Sequence, residues 1–353
     1  MSYVTRLACS NCLHRAGSPG CKLVKEPIHT QHTLFRIPAP LSSTQLFHTS
    51  STLHSMTVGL HVTRWWSSQP PVQGYWGPST ASIDWCEANY AITRFIAEFT
   101  NTLSNLVFVS WALYGVKKCR DEKLPLPLAL CQVGIALVGI GSFLFHATLR
   151  YEWQLGDELP MIFCCAFITY VTFDTGSISQ PRTRFVRCLP YLLFIYSFGV
   201  SAIYLRYPNP VFHQVAYAFI QLVATFRSAY TVRAAPEGTY REQKNKADAT
   251  RYLLIGSITF ITGFLIWNID NLFCDRISHL KEYLGTPWSF IVEGHAWWHL
   301  ATGTGSYMIV VGLQLLSLSL KEGADGFEMR RAGPFGMCPY VARIPIKIDP
   351  KLH

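Results

Sequence analysis

The run His295-Ala-Trp-Trp-His299 places two imidazoles four residues apart, and a third, His146, closes the run Gly141-Ser-Phe-Leu-Phe-His146. Residues four apart share one face of a helix. Two histidines so spaced can hold one Zn²⁺, as they do in the His-Glu-x-x-His metalloproteases. The general-base glutamate of that motif is absent, because Ala296 occupies its place. Ser142 lies four residues before His146, on the same face, and Asp157 follows across a short connection. A single histidine in an apolar stretch is more often a hydrogen-bonded core residue than a ligand. Three together leave one position open in a tetrahedral zinc shell, the arrangement of a catalytic site. Zinc there would lower the pKa of a bound water to about 7. Asp157 could then take and return a proton, and Ser142 could hydrogen-bond a developing oxyanion. The chemistry that follows is hydrolysis of an electrophilic carbonyl. Glu158, next to Asp157, reads instead as a helix-start acid favoured by the dipole, with Pro160 in the same first turn.

A second cluster, Asp84-Trp-Cys-Glu-Ala-Asn89 followed by Glu98, offers hard oxygen ligands in Asp84, Glu87, Asn89 and Glu98. Oxygen donors of this kind suit Ca²⁺ far better than Zn²⁺. The same residues also fit a solvated capping segment ahead of a helix, and both readings stay open. The spacing is not that of an EF-hand. Cys9 and Cys12 form a Cys-x-x-Cys with Cys21 nearby, and no second pair follows at zinc-ribbon spacing, so ordinary thiols compete with a metal site. Most of the eleven cysteines lie in or beside apolar stretches, away from regular disulfide spacings, and do not form a disulfide scaffold.

The elements that must position these groups are set by composition. Of 353 residues, 50% are hydrophobic and 14% charged, against about 25% charged in an ordinary soluble domain. The mean hydropathy is +0.20. Soluble globular, disordered and coiled-coil classes are poor fits, and the apolar surface must face lipid. Seven apolar stretches follow, at about 99–116, 126–148, 157–174, 188–206, 210–231, 250–270 and 288–318. Each is near the ~20 residues a membrane-spanning helix needs, and helices are required because backbone cannot be left unpaired in lipid. The expected fold is therefore an all-α integral membrane protein with seven transmembrane helices.

Nineteen Lys and Arg residues fall in alternate loops and the carboxyl-terminal tail, against four (Arg150, Arg206, Arg276 and Lys281) in the opposite loops. The positive-inside rule then puts the carboxyl terminus in the cytosol and the amino terminus in a lumen. Ser142, His146, Asp157, His295 and His299 come to similar depth on the lumenal side. The net charge of +9 is loop-borne and alternating, which argues against a nucleic-acid partner. Residues 1–73 hold six basic residues and one acid, Glu26, and read as a targeting or disordered extension. Met56 offers an alternative start. The domain proper spans 74–318, and 319–353 form a basic cytosolic tail.

These residues together resemble the alkaline ceramidase family of integral membrane amidases, and in particular the fungal ceramidases that act on phytoceramide and dihydroceramide. The matching motifs are Gly74-Tyr-Trp-Gly-Pro-Ser-Thr80, Asp84-Trp-Cys-Glu-Ala-Asn-Tyr90, Glu98-Phe-Thr-Asn-Thr-Leu-Ser-Asn105, Gly141-Ser-Phe-Leu-Phe-His-Ala-Thr-Leu149, Asp157-Glu-Leu-Pro-Met161 and Gly294-His-Ala-Trp-Trp-His299. The resemblance covers residues 74–318 and implies hydrolysis of the ceramide amide to a sphingoid base and a fatty acid. It also implies that His146, His295 and His299 carry Zn²⁺ and that Ser142 and Asp157 complete the active site. A Ca²⁺ site would be formed by Asp84, Trp85 through its backbone carbonyl, Glu87, Asn89 and Glu98. Family members reside in the endoplasmic reticulum or Golgi, and fungal ones can run the reaction backward without acyl-CoA. The extension before residue 74 departs from the pattern.

The competing class is a receptor. Seven-helix proteins of the adiponectin and progestin receptor family share a related three-histidine zinc arrangement, with the amino terminus in the cytosol, opposite to the loop charges here. Transport is a third reading, with Asp270 and Glu293 as relay groups, but no inverted repeat of interrupted helices is evident.

Overall fold

The structure, a computed structural model, describes residues 74–345. Cys9, Cys12, Cys21 and the rest of the 1–73 extension lie outside the described residues. The chain is mostly helical: α1 Phe99–Ser104, α2 Leu106–Asp121, α3 Leu126–Thr148, α4 Tyr151–Phe173, α5 Arg184–Arg206, α6 Pro210–Ala234, α7 Tyr240–Leu272, α8 Cys274–Leu284 and α9 Gly294–Glu322. Five of them, α3, α4, α5, α7 and α9, are long and apolar enough to cross a membrane. The first apolar stretch is divided at Asn105 into α1 and α2, and the seventh into a short 3₁₀ turn, Trp288–Val292, and α9.

Two expectations are corrected. The segment after α9 is more than a basic tail: Phe327–Ala332 (β1) and Cys338–Arg343 (β2) pair antiparallel, Phe327 opposite Arg343 and Ala332 opposite Cys338, so the fold is not purely helical. Phe327, Val341 and Ala342 are buried against the helices, which explains why a charged sequence pairs there. The third helix begins at Tyr151, not near 157, because the Thr80 hydroxyl accepts a hydrogen bond from the Tyr151 N–H at 2.9 Å. A partner distant in sequence starts the helix two turns ahead of its apolar run. Pro160 consequently lies inside α4, where it removes the N–H that the Gly156 carbonyl would otherwise receive.

That carbonyl faces α3. A Cβ on Gly141 would sit 1.7 Å from the Gly156 oxygen, so the two backbones touch where only glycine permits it. This crossing sets Ser142 beside Asp157. A second backbone approach joins α7 to α9, where Gly256 and Gly305 each face the other's carbonyl, the small-residue packing that membrane helices use in place of a hydrophobic driving force. α9 is the central helix, with 67% of its apolar window buried against 17% for α7. Tyr307, Val310, Val311 and Leu315 of α9 form the core with Phe108, Ala112 and Ile135. Large apolar side chains of α5, α6 and α7, among them Phe194, Ile195, Phe219, Phe226, Ile258 and Ile261, point outward and are exposed, as a lipid-facing belt requires.

Candidate metal centre

His146 sits in the last turn of α3, and His295 and His299 occupy successive turns at the start of α9. Their ring centroids are 4.7 to 5.0 Å apart, and one donor nitrogen from each lies within 4.8 Å of the others. All three rings are buried. The His146 Nδ1 lies 2.5 Å from Glu98 Oε2, and its Nε2 is a buried atom without a partner. The His299 Nδ1 lies 3.1 Å from the Asn101 carbonyl and 2.8 Å from the Ser104 hydroxyl. His295 is held against Trp85, ring centroids 4.2 Å apart, and its Nδ1 is also buried and unpartnered. Orphaned imidazole nitrogens are costly in a dry interior. A soft-to-borderline divalent cation satisfies them, so the residues fit a metal.

The α9 amino terminus is fixed from two sides. Asp270 of α7 accepts from the Gly294 N–H at 3.2 Å, and Glu293 pairs with Lys281 of α8 at 2.5 Å. Both acids considered as relay groups are thus engaged in holding the turn that carries His295. Ser142 is buried, whereas Asp157 is partly exposed. The Asp157 carboxyl has the Ser142 hydroxyl and Glu158 as neighbours. Glu158 is not a helix-start acid: two turns into α4, it accepts from the Tyr204 hydroxyl at 2.6 Å and from Gln154 Nε2 at 3.4 Å. A groove of about 340 Å³ is lined in part by Phe99, Leu103, Trp297, Leu300 and Ser104, the residue whose hydroxyl contacts His299. A cavity of about 580 Å³ lies at the other end of α9, near Lys321, away from the histidines.

The oxygen cluster forms the approach to α1. Glu87 accepts from the Thr100 and Asn101 N–H groups at 2.6 and 2.8 Å and so caps that helix from a distance. Asn89 Nδ2 donates to Asp84 Oδ1 at 3.3 Å. Asn89 Oδ1 and Glu98 Oε1 are buried without partners, as acceptors awaiting a cation would be. Burial pushes the Glu98 carboxyl up to about 8, and the charge of Asp84 adds to the rise. Burial likewise raises Glu87, with Glu98 contributing, against the amide hydrogen bonds it accepts. Asp84 is exposed, and the three carboxylates do not draw their donor atoms together as the histidines do. The cluster is therefore suited to hard cations in its chemistry but loosely gathered in this structure.

Residues 77–342 match the ceramidase family profile. The chain belongs to the ceramidase family. Among ceramidase relatives, alkaline ceramidase 3 of Mus musculus is 38% identical over 240 residues, 68% of this chain and 85% of the mouse protein. Alkaline ceramidase YPC1 of Saccharomyces cerevisiae is 32% identical over 265 residues, 72% of this chain and 82% of the yeast one. An alkaline ceramidase of Arabidopsis thaliana is 29% identical over 238 residues, 67% of this chain and 84% of its own. The match takes in every residue of both ceramidase clusters and nearly all of the β1–β2 hairpin.

Sequence reasoning missed four features of this ceramidase. Cys86 and Cys274 form a disulfide across 188 residues, joining the oxygen cluster to the first residue of α8. The expectation of no disulfide scaffold overlooked a single bridge. Its signal was that both cysteines fall in polar segments assigned to the same membrane side. Lys281, counted only as a loop charge, is buried, donating to the Cys86 carbonyl at 3.2 Å as well as to Glu293. Ser104 and Asn101, quoted as motif residues, turn out to face His299. Glu98, assigned to the oxygen cluster alone, also orients His146.

Proposed function

We propose that the protein hydrolyses the amide bond of ceramide-type lipids, phytoceramide or dihydroceramide, releasing a sphingoid base and a fatty acid. The observation that carries this reading is the trio of buried imidazoles, two with orphaned nitrogens, whose His146 lies one turn along α3 from Ser142. Membership of the ceramidase family supports it and does not favour the receptor reading.

His146, His295 and His299 would hold Zn²⁺, which when bound supplies a Lewis acid and a water of lowered pKa. Glu98 and Asn101 hold the His146 and His299 rings in the tautomers that turn their remaining nitrogens inward, and Trp85 holds the His295 ring by stacking. Asp157 accepts a proton from the attacking water and delivers it to the departing amine. Ser142 donates to the oxyanion as the amide carbonyl becomes tetrahedral. The C–N bond breaks, one water is consumed, and the same groups in reverse order serve condensation. Asp84, Trp85 through its carbonyl, Glu87, Asn89 and Glu98 would hold Ca²⁺. Because Glu98 also bonds His146, that ion would brace the zinc ligands.

In this reading the chain crosses the membrane seven times, α1–α2 together and α6 completing the set begun by the five long apolar helices. The amino terminus is lumenal and the carboxyl terminus cytosolic. The Cys86–Cys274 disulfide favours an oxidising compartment on the site's side, consistent with residence in the endoplasmic reticulum or Golgi.

The test is to offer purified protein ceramide, dihydroceramide and phytoceramide together in detergent, follow products by lipid mass spectrometry and measure bound metal. The expected result is sphingoid base and fatty acid, bound zinc, and loss of both in His295→Ala. Asp157→Ala should lose activity while keeping zinc. Intact ceramides throughout, or full activity in a zinc-free His295→Ala protein, would sink the mechanism.

A further inference from the structure

The β1–β2 hairpin is anchored in a way that fixes where its tip points. At its base, Arg343 pairs with Glu322 at the end of α9, and its N–H donates to Glu122 just beyond α2. Toward the tip, Arg331 Nε donates to the Tyr252 hydroxyl of α7 at 2.9 Å, the Tyr114 hydroxyl of α2 donates to the Cys338 carbonyl at 3.3 Å, and the Tyr307 hydroxyl of α9 donates to the Pro339 carbonyl at 2.6 Å. Along α7 the last charged residue before the long apolar run is Arg251, and along α2 charge begins at Lys117 and Lys118. Tyr252 and Tyr114 lie on the apolar side of those marks. The hairpin therefore runs from the charged ends of the helices back toward their apolar lengths, and its turn begins where the charge stops.

The turn, Gly333-Pro-Phe-Gly-Met337, has a composition that water would penalise. Phe335 is 99% exposed and Met337 66% exposed. Phe335 has φ 56°, a left-handed conformation that is uncommon for an aromatic residue. Around the same level stand Arg330, Arg331 and Lys118, the last with its Nζ 3.9 Å from the Tyr340 ring. Basic residues flanking an apolar tip match a leaflet in cross-section, with phosphates outside and acyl chains inside.

We propose that the β1–β2 turn is a membrane anchor that inserts Phe335 and Met337 into the acyl chains of the leaflet on the α9 carboxyl-terminal side, with Arg330, Arg331 and Lys118 at phosphate depth. The anchor rests on the reading of α2, α7 and α9 as membrane spans. It pins β1 against α7 and β2 against α2 at a fixed depth, so the hairpin is a built part of the membrane-embedded surface.

A photoreactive benzophenone amino acid placed singly at Phe335, Ile258 or Tyr240 of the full chain tests this in phosphatidylcholine vesicles. Ile258, 63% exposed, lies in the apolar run of α7, and Tyr240, 77% exposed, begins the same helix on its charged side. Lipid adducts are expected at Phe335 and Ile258, with at least about tenfold less at Tyr240, the ratio expected when an aromatic side chain prefers hydrocarbon. Adducts at Ile258 with Phe335 no higher than Tyr240 overturn the anchor and leave the spanning helices standing. Adducts at neither Phe335 nor Ile258 mean that α7 does not span, and the anchor falls with it. Crosslinks from Phe335 to a second copy of the chain also overturn it, since the tip would then be a protein interface.

Discussion

At His146 the nitrogen that faces Glu98 decides which nitrogen is left for a metal. Glu98→Gln keeps a side chain of the same size but exchanges the carboxyl that faces His146 Nδ1 for an amide. Zinc affinity is expected to fall about 10–100-fold, read by chelator competition, with hydrolysis falling in step and the protein still folded. Unchanged affinity would mean that the His146 contact does not orient the ring. Glu98 also sets a pH dependence. Its carboxyl rises from the ordinary 4.5 to about 8 in the folded protein, so the folded state holds its proton longer than the unfolded one. In the absence of calcium, stability should therefore fall as pH rises from about 4.5 and level off above about 8. Calcium, which needs the ionised carboxylate, should bind more tightly and stabilise more over the same rise. Thermal unfolding at pH 6 and pH 9, each with calcium and with chelator, checks both signs; a calcium benefit that shrinks with pH would contradict them. The three histidines were legible because spacing on a helix and depth in a membrane are properties of sequence. Ser104 and Asn101 were not, because nothing local marks a hydroxyl or a carbonyl as facing a ring nearly 200 positions away.

Among the elements, the α3–α4 crossing positions the proposed catalytic pair, Ser142 and Asp157. Gly141→Ala would drive a methyl group into the Gly156 carbonyl, forcing the helices apart and moving Ser142 from Asp157. The expected outcome is a destabilisation of about 1–3 kcal/mol and a loss of hydrolysis larger than the shift in melting temperature explains, with zinc retained. Full activity in that variant would show that the crossing can relax without disturbing the pair. Hydropathy located the apolar cores of the helices well, because burial in lipid demands them. It misplaced the start of α4 because the first turns, Tyr151 to Gly156, are polar and capped by Thr80, a residue of the segment before α1. It left the β1–β2 hairpin out because two six-residue strands fall far short of the ~20 apolar residues of a span, and their pairing depends on packing against α2, α7 and α9 together.

For the whole molecule, loop charge and the disulfide argue for the same sidedness. Impermeant labelling of single cysteines in sealed vesicles should react with the tail and the α2–α3 connection from one face and with the α3–α4 connection at Arg150 from the other. Labelling of all three from a single face would break the alternation of the spans, and the opposite pattern would reverse the orientation and with it the proposed lumenal placement of the metal centre. The sequence contains the charge asymmetry openly, but the bridge that supports it became visible only when Cys86 and Cys274 were brought together in space. Those two cysteines are 188 residues apart, and at ordinary translation speeds of about 5–20 residues per second the second emerges roughly ten to forty seconds after the first. Throughout that interval the segment bearing Asp84 and Glu87 waits beside an open thiol, so the oxygen cluster is tied down only once α8 has been made.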